Sequence, residues 1–146
     1  MEDHAVTAWK SLLALVGWGG RRPPRFPTVA MELELAPKQL GLIWRLEPGA
    51  TLSMREIGRS LYCDASYVTD LVDRLEDREL IERRRSPEDR RVTLIALTPA
   101  GEALRTRALE LLYEPPAEFE VLDPDELRTL SELLARAAAA EGAPAA

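Results

Sequence analysis

A chain of 146 residues has the length of one ordinary domain, enough to bury a single core. Hydrophobic residues at 46% and charged residues at 30% exclude a disordered or fibrous polypeptide, and a formal net charge of −6 argues against wholesale coating of nucleic acid. One cysteine and one histidine exclude an internal disulfide, multi-cysteine zinc sites and nearly all histidine-based catalysis, so no cofactor or metal is expected. In chain order, Ala5, Val6, Trp9, Leu12, Leu13 and Val16 form the apolar stripe of a first helix. The apolar run at 12–18 follows the acidic Glu2 and Asp3, and it falls short of the ~20 residues a membrane helix needs. A cytoplasmic protein with no membrane partner is the expectation.

Gly17, Gly19, Gly20, Pro23, Pro24 and Pro27 interrupt the next stretch, which also places Arg21, Arg22 and Arg25 together as a small basic cluster on a loop. A short helix over 28–35 is expected with Pro27 at its first position, then a helix from Pro37 to Arg45 burying Leu40, Ile43 and Trp44. Glu47, Pro48 and Gly49 force a turn. Ser53 and Glu56 fit a capping box, with Leu52 and Ile57 as its hydrophobic staple, so a short helix should run to Leu61. Tyr62 and Cys63 make a turn, and Asp64 caps a helix to about Arg78 with Val68, Leu71, Val72 and Leu75 on one face. Two helices joined by so short a turn read as a helix-turn-helix.

Residues 80–85 and 91–97 can pair as an antiparallel hairpin around the polar segment 86–90. Thr98 and Pro99 then open a helix whose apolar face is Leu104, Ala108, Leu111 and Leu112, and Pro115 and Pro116 stop it. A last helix begins at Asp123 and carries Leu127, Leu130, Leu133, Leu134 and Ala137. The hairpin holds five arginines (Arg83, Arg84, Arg85, Arg90 and Arg91) against Glu88 and Asp89. A basic hairpin beside a helix-turn-helix is the electrostatic footprint of duplex DNA contact; a solvated surface hairpin is the plainer alternative. No Gly-rich phosphate loop, nucleophile elbow or metal pair is present, so an enzyme is not expected.

The run from Ser53 to Gly101, above all VTDLVDRLEDRELIERR and DRRVTLIALTPAG, resembles the winged helix-turn-helix core of MarR-type transcriptional regulators. The resemblance implies a mainly α fold with a small β-hairpin wing. One domain spans 1–146, with a DNA-binding lobe over 37–98 and a homodimer formed through the N- and C-terminal helices, 1–36 and 99–140. It implies a cytoplasmic repressor that binds a pseudo-palindromic double-stranded operator and responds to an aromatic or phenolic small molecule. It places Ser66, Tyr67, Thr69, Asp70 and Arg74 on the recognition helix in the major groove. Arg91 would enter the minor groove, braced by Asp89. Arg85 and Arg90, with Arg83 and Arg84, are candidates for phosphate contacts, and Trp44 is a candidate for stacking on the ligand.

Two departures from the family pattern stand out. If Val68 faces the core, Ser66, Asp70, Asp73 and Asp77 face outward, and three aspartates there repel phosphates. Glu79 stands where similar sequences carry glycine, and a left-handed conformation at a non-glycine residue costs ~1–2 kcal/mol. The aspartate stripe and the net charge define the alternative function, an acidic winged-helix interaction module that has lost DNA binding. Cys63 is a candidate sensor thiol near a helix N-terminus, against the plainer role of a small packed residue.

Overall fold

The computed structural model describes residues 3–19 and 23–140, and its packing divides into one unit up to Glu114 and a second from Pro115. The first unit contains helices α1 (His4–Leu15), α2 (Arg25–Glu32), α3 (Pro37–Arg45), α4 (Met54–Leu61), α5 (Ala65–Asp77) and α6 (Pro99–Tyr113). Strands β1 (Leu52–Ser53), β2 (Ile81–Arg85) and β3 (Thr93–Leu97) form an antiparallel sheet in the order β1-β3-β2. The second unit holds a 3-10 turn, Ala117–Val121, and helix α7 (Pro124–Ala139).

The core is built where helical period and strand register converge. Leu40 and Ile43 from α3, Ile57 and Leu61 from α4, and Val68, Leu71, Val72 and Leu75 from α5 are buried together with Ile81 of β2 and Ile95 of β3. Each such side chain contributes about 1.5–3 kcal/mol by leaving water. The sheet is wider than the expected hairpin. Leu52 pairs with Ile95 and Ser53 with Leu94, so the staple residue and the cap of α4 double as a third strand on the edge of β3.

The capping chemistry follows the sequence closely. Ser53 Oγ accepts from Glu56 N at 3.2 Å while Glu56 accepts from Ser53 N at 2.7 Å, and Asp64 accepts from Tyr67 N at 2.8 Å. Thr98 caps α6 with Pro99 in its first turn, and Asp123 and Glu126 form a capping box on α7. These bonds to backbone N–H groups favour the ionised carboxyls, so Glu56 and Asp64 titrate below the usual carboxylate range, Ser53 and Tyr67 being the largest respective causes.

The exits of α2, α4 and α5 share one solution. Leu35 N, Cys63 N and Leu80 N each donate to the carbonyl five residues back, at 2.8, 2.9 and 3.1 Å. The preceding residues Glu34, Tyr62 and Glu79 adopt φ of 56°, 53° and 57°. This is the Schellman pattern, in which two closing bonds and a packed following residue offset the left-handed conformation that glycine usually supplies. Leu35 and Leu80 are buried, and Cys63 is half-buried against the core. The sharp turn after α5 therefore survives without glycine.

The broken segment departs from expectation in its start. Helix α2 begins at Arg25, capped by Pro24, and Pro27 lies inside its first turn rather than at its first position. That placement is permitted because first-turn N–H groups have no intrahelical partner to lose. Arg25 is helical and half-buried, donating to Leu111 O of α6 at 2.7 Å, so it is not part of a basic loop. Arg21 and Arg22 of that expected cluster lie outside the described residues. Trp44, expected in the core, is 41% exposed, with Arg45 over its ring at 5.4 Å. Helices α1 and α7 fully bury no residue: Leu12 and Leu13 of α1 and Leu127 and Leu130 of α7 are half-buried, while Trp9 and Leu133 are exposed.

Two substitutions test this packing. A Cβ on Gly101 would lie 1.9 Å from Leu80 O, so Gly101→Ala must push α6 off the start of the wing. Its urea midpoint should fall by the equivalent of about 2–3 kcal/mol, and a loss near zero would refute the close approach. Glu79→Gly removes the left-handed penalty while adding chain entropy, and should stabilise by about 1 kcal/mol. An unchanged or lower midpoint would show that the strain at Glu79 does not exceed the entropy cost of glycine.

Candidate nucleic-acid interface

Burial of Val68, Leu71, Val72 and Leu75 rolls α5 so that Ser66, Tyr67, Thr69, Asp70, Asp73, Arg74 and Asp77 are exposed. The expected recognition residues thus share one helix and its solvent side. They are not equally available. Thr69 Oγ1 donates to Ala65 O at 3.0 Å and Ser66 Oγ donates to Asp64 Oδ1 at 3.2 Å, both local bonds. Tyr67 lies beneath Lys38, whose Nζ is 5.9 Å from the ring centroid, while Lys38 also donates to Leu61 O. This contact steadies the tyrosine ring against α3.

The outward acids are largely matched within the molecule. Asp70 Oδ2 accepts from Arg74 Nε at 3.0 Å across one helical turn. Arg83, at the base of the wing, reaches back to α5, bonding Asp73 and meeting Glu76 at 3.1 Å. Sequence reasoning grouped Arg83 with the phosphate contacts. Its guanidinium ties the wing to α5, a partnership that exists only once β2 lies beside that helix. Arg84 is bonded to Glu82 on its own strand. Arg78 donates to Glu34 O at 2.7 Å, fixing the end of α5 to the end of α2.

The wing tip is organised by short-range bonds. Ser86 Oγ accepts from Glu88 N and Asp89 N at 3.3 and 3.4 Å, and Val92 N closes the turn on Asp89 O at 2.9 Å. Arg85 donates to Arg90 O at 2.9 Å. Asp89 accepts from the Arg91 backbone N and Nε at 3.1 Å and from its Nη2 at 3.3 Å. The Arg91 side-chain and backbone bonds hold the Asp89 carboxyl below the usual carboxylate range. Arg91 is nevertheless 91% exposed, its guanidinium paired with Asp89 through Nε and Nη2 while the rest of its surface faces solvent.

An open groove of about 700 Å³ separates α4 from α5, with Val68 at its floor and Arg55, Arg59, Tyr62 and Thr69 around it. Arg55 and Arg59 lie on the exposed side of α4 and were not singled out from sequence; their spacing of four on a helix beside the recognition helix was the available signal. Cys63 also lines the groove, half-buried, with its thiol donating to Leu61 O at 3.3 Å. A second cavity of about 330 Å³ lies between the end of α1, α2 and α6, lined by Val16, Arg25, Val29, Glu32 and Leu111 among others. Trp44 does not line either; its carbonyl accepts from Arg105 Nε of α6 at 3.3 Å. Among the described residues no acidic, histidine or cysteine group is arranged to hold a metal, and no helix is long and apolar enough to cross a membrane.

Comparison with known proteins agrees with this geometry. The MarR family model matches residues 35–93. The chain is 39% identical over 70 residues to the organic hydroperoxide resistance transcriptional regulator of Bacillus subtilis, covering 48% of this chain and 46% of the relative. It thus spans about half the length of that relative. It is 31% identical over 111 residues to the uncharacterized HTH-type transcriptional regulator YpoP of Bacillus subtilis, covering 73% of this chain and 76% of the relative. The apo form of MarR from E. coli superposes with a TM-score of 0.71 at 20% identity, over 94% of this chain and 97% of the other. A mutant of that protein complexed with operator DNA gives 0.59 at 22% identity, over 93% and 99%. At such identities the two structures speak for the fold alone. Matched by the family model over residues 35–93 and by a relative over most of its length, the chain belongs to the MarR family.

Proposed function

We propose that the chain is a sequence-specific DNA-binding transcriptional regulator, a cytoplasmic repressor acting as a homodimer on a pseudo-palindromic operator. The observation that carries this is the pairing of an outward helix face bearing Arg74 with a wing whose Asp89 presents Arg91 to solvent. In this reading Ser66, Tyr67, Thr69, Asp70 and Arg74 enter the major groove. Arg91 enters the neighbouring minor groove, where a narrow A·T-rich segment concentrates negative potential. Arg85 and Arg90 contact phosphates and set the position of the protein without reading sequence.

The dimer is proposed to form through 1–36 and 99–140, around a DNA-binding lobe of 37–98. Support comes from the apolar side chains left in solvent on the terminal helices: Trp9 is 60% exposed on α1 and Leu133 is 51% exposed on α7. Exposed apolar stripes of this kind are what association buries. Repression is proposed to respond to an aromatic or phenolic ligand that prefers one spacing of the two recognition helices, because only a differential affinity shifts a population. Half-exposed Trp44 is the proposed stacking partner. The competing reading, an acidic interaction module, drew on the aspartate stripe. Ion pairing of Asp70 with Arg74, and of Asp73 with Arg83, removes much of that stripe's repulsion.

The test is fluorescence anisotropy on mixed-sequence duplex DNA across a salt series. The wild type should bind with a logarithmic affinity that falls linearly in the logarithm of salt. Arg91→Ala should weaken binding several-fold and reduce that slope by about one, with an unchanged circular dichroism spectrum. Asp89→Asn should weaken binding less, since Arg91 stays charged but loses its brace. Salt-independent binding, or an Arg91→Ala variant equal to wild type, would remove the wing from the interface.

A further inference from the structure

The Asp70–Arg74 pair has no evident structural duty. Both side chains are more than half exposed, and an exposed ion pair four residues apart on a helix adds little to stability. Among the described residues, the ion pair of Asp70 is with its own helix neighbour, whereas Asp73 and Glu76 hold the wing. A carboxylate on a phosphate-facing helix also weakens binding to DNA of arbitrary sequence. A residue that adds little to the fold and opposes general affinity is placed to discriminate.

The geometry of the pair states what it can discriminate. The 3.0 Å bond uses Arg74 Nε and Asp70 Oδ2. The two η nitrogens of Arg74 and the second oxygen of Asp70 remain for a partner, as a fork of donors beside an acceptor. In the major groove, guanine presents two adjacent acceptors, N7 and O6, and its cytosine presents the N4 amino donor. An A·T pair alternates acceptor, donor and acceptor, and gives a donor fork nothing to straddle. Resting on the reading of α5 as the recognition helix, we infer that Asp70 is a specificity-determining residue. It holds Arg74 as a donor fork for guanine and accepts from the amino group of a cytosine in the same or the neighbouring base pair. The operator half-site therefore carries G·C under the middle of α5, and Asp70 rejects sequences without it by leaving its carboxylate unpaired against the base edges.

Selection from a random duplex pool with wild type and Asp70→Asn, alongside affinity for mixed-sequence duplex, tests this. The exposed position and the isosteric change keep the fold, which circular dichroism confirms. The wild type should enrich a motif with G·C at one fixed position in each half. Asp70→Asn should lose preference at that position by roughly 5- to 100-fold, the range of one good base contact. The variant should also bind mixed-sequence duplex more tightly than wild type, since a repulsive charge is gone. An identical motif from both proteins, or a wild-type motif with A·T throughout the segment under α5, would overturn the role of Asp70 while leaving the regulator reading intact. Failure of wild type to enrich any motif would overturn that reading itself, and this inference with it.

Discussion

The burial of one face of α5 is the constraint on which everything else rests. Val68, Leu71, Val72 and Leu75 are each nearly sealed from water, and together they fix the rotation of the helix about its axis. With 100° between successive residues, no other set of side chains can then face outward. The ends of the helix are fixed as firmly. Asp64 caps the start, a left-handed Glu79 turns the chain at the end, and Arg78 anchors that end to α2. Arg83 adds a cross-brace from the wing to Asp73 and Glu76. Helix α5 and the wing are therefore tied to each other through Arg83, and the backbone positions that carry Arg74 and Arg91 follow from the fold.

The charge pattern follows from the same packing. An acidic protein that meets DNA must concentrate its cations and quiet its anions where the phosphates lie. Along α5 and β2, acids and arginines alternate as partners across a helical turn or between elements. Among the wing arginines Arg91 is highly exposed, and Asp89 fixes it by accepting from its backbone N and from its guanidinium Nε and Nη2. Asp89 is ionised at neutral pH, and its bonds to Arg91 extend that ionised range to lower pH. The sign is clear: the brace is lost only as pH falls through its lowered value, far below physiological conditions.

Local chemistry was legible in the sequence, and long-range partnership was not. The capping box at Ser53, the caps at Asp64 and Thr98, the start of α7 at Asp123, and α3 from Pro37 to Arg45 could be read directly, since caps and helical period act within a few residues. The start of α2 was misplaced because proline is accommodated throughout a first helical turn, not at its first position alone. Strand β1 was missed because two residues have no period to detect; its partner β3 lies some forty residues away. Trp44 was placed in the core by its spacing, yet the core beneath α3 is filled by Leu40, Leu42 and Ile43. The shared exposure of Ser66, Tyr67, Thr69, Asp70 and Arg74 on α5 was legible from the helical period, while the pairing of Arg83 with α5 depends on tertiary packing alone. For α1 and α7 the stripe predicted the helix but not what covers it.

In the proposed function, two chains act together on one duplex. Sedimentation equilibrium of the protein alone, and with a duplex long enough for two successive major grooves at low salt, tests it most directly. The account predicts a dimer in free solution and two chains per duplex, with the complex dissociating as salt rises. A monomer binding one chain per duplex, or a stable dimer that forms no complex at low salt, would contradict it.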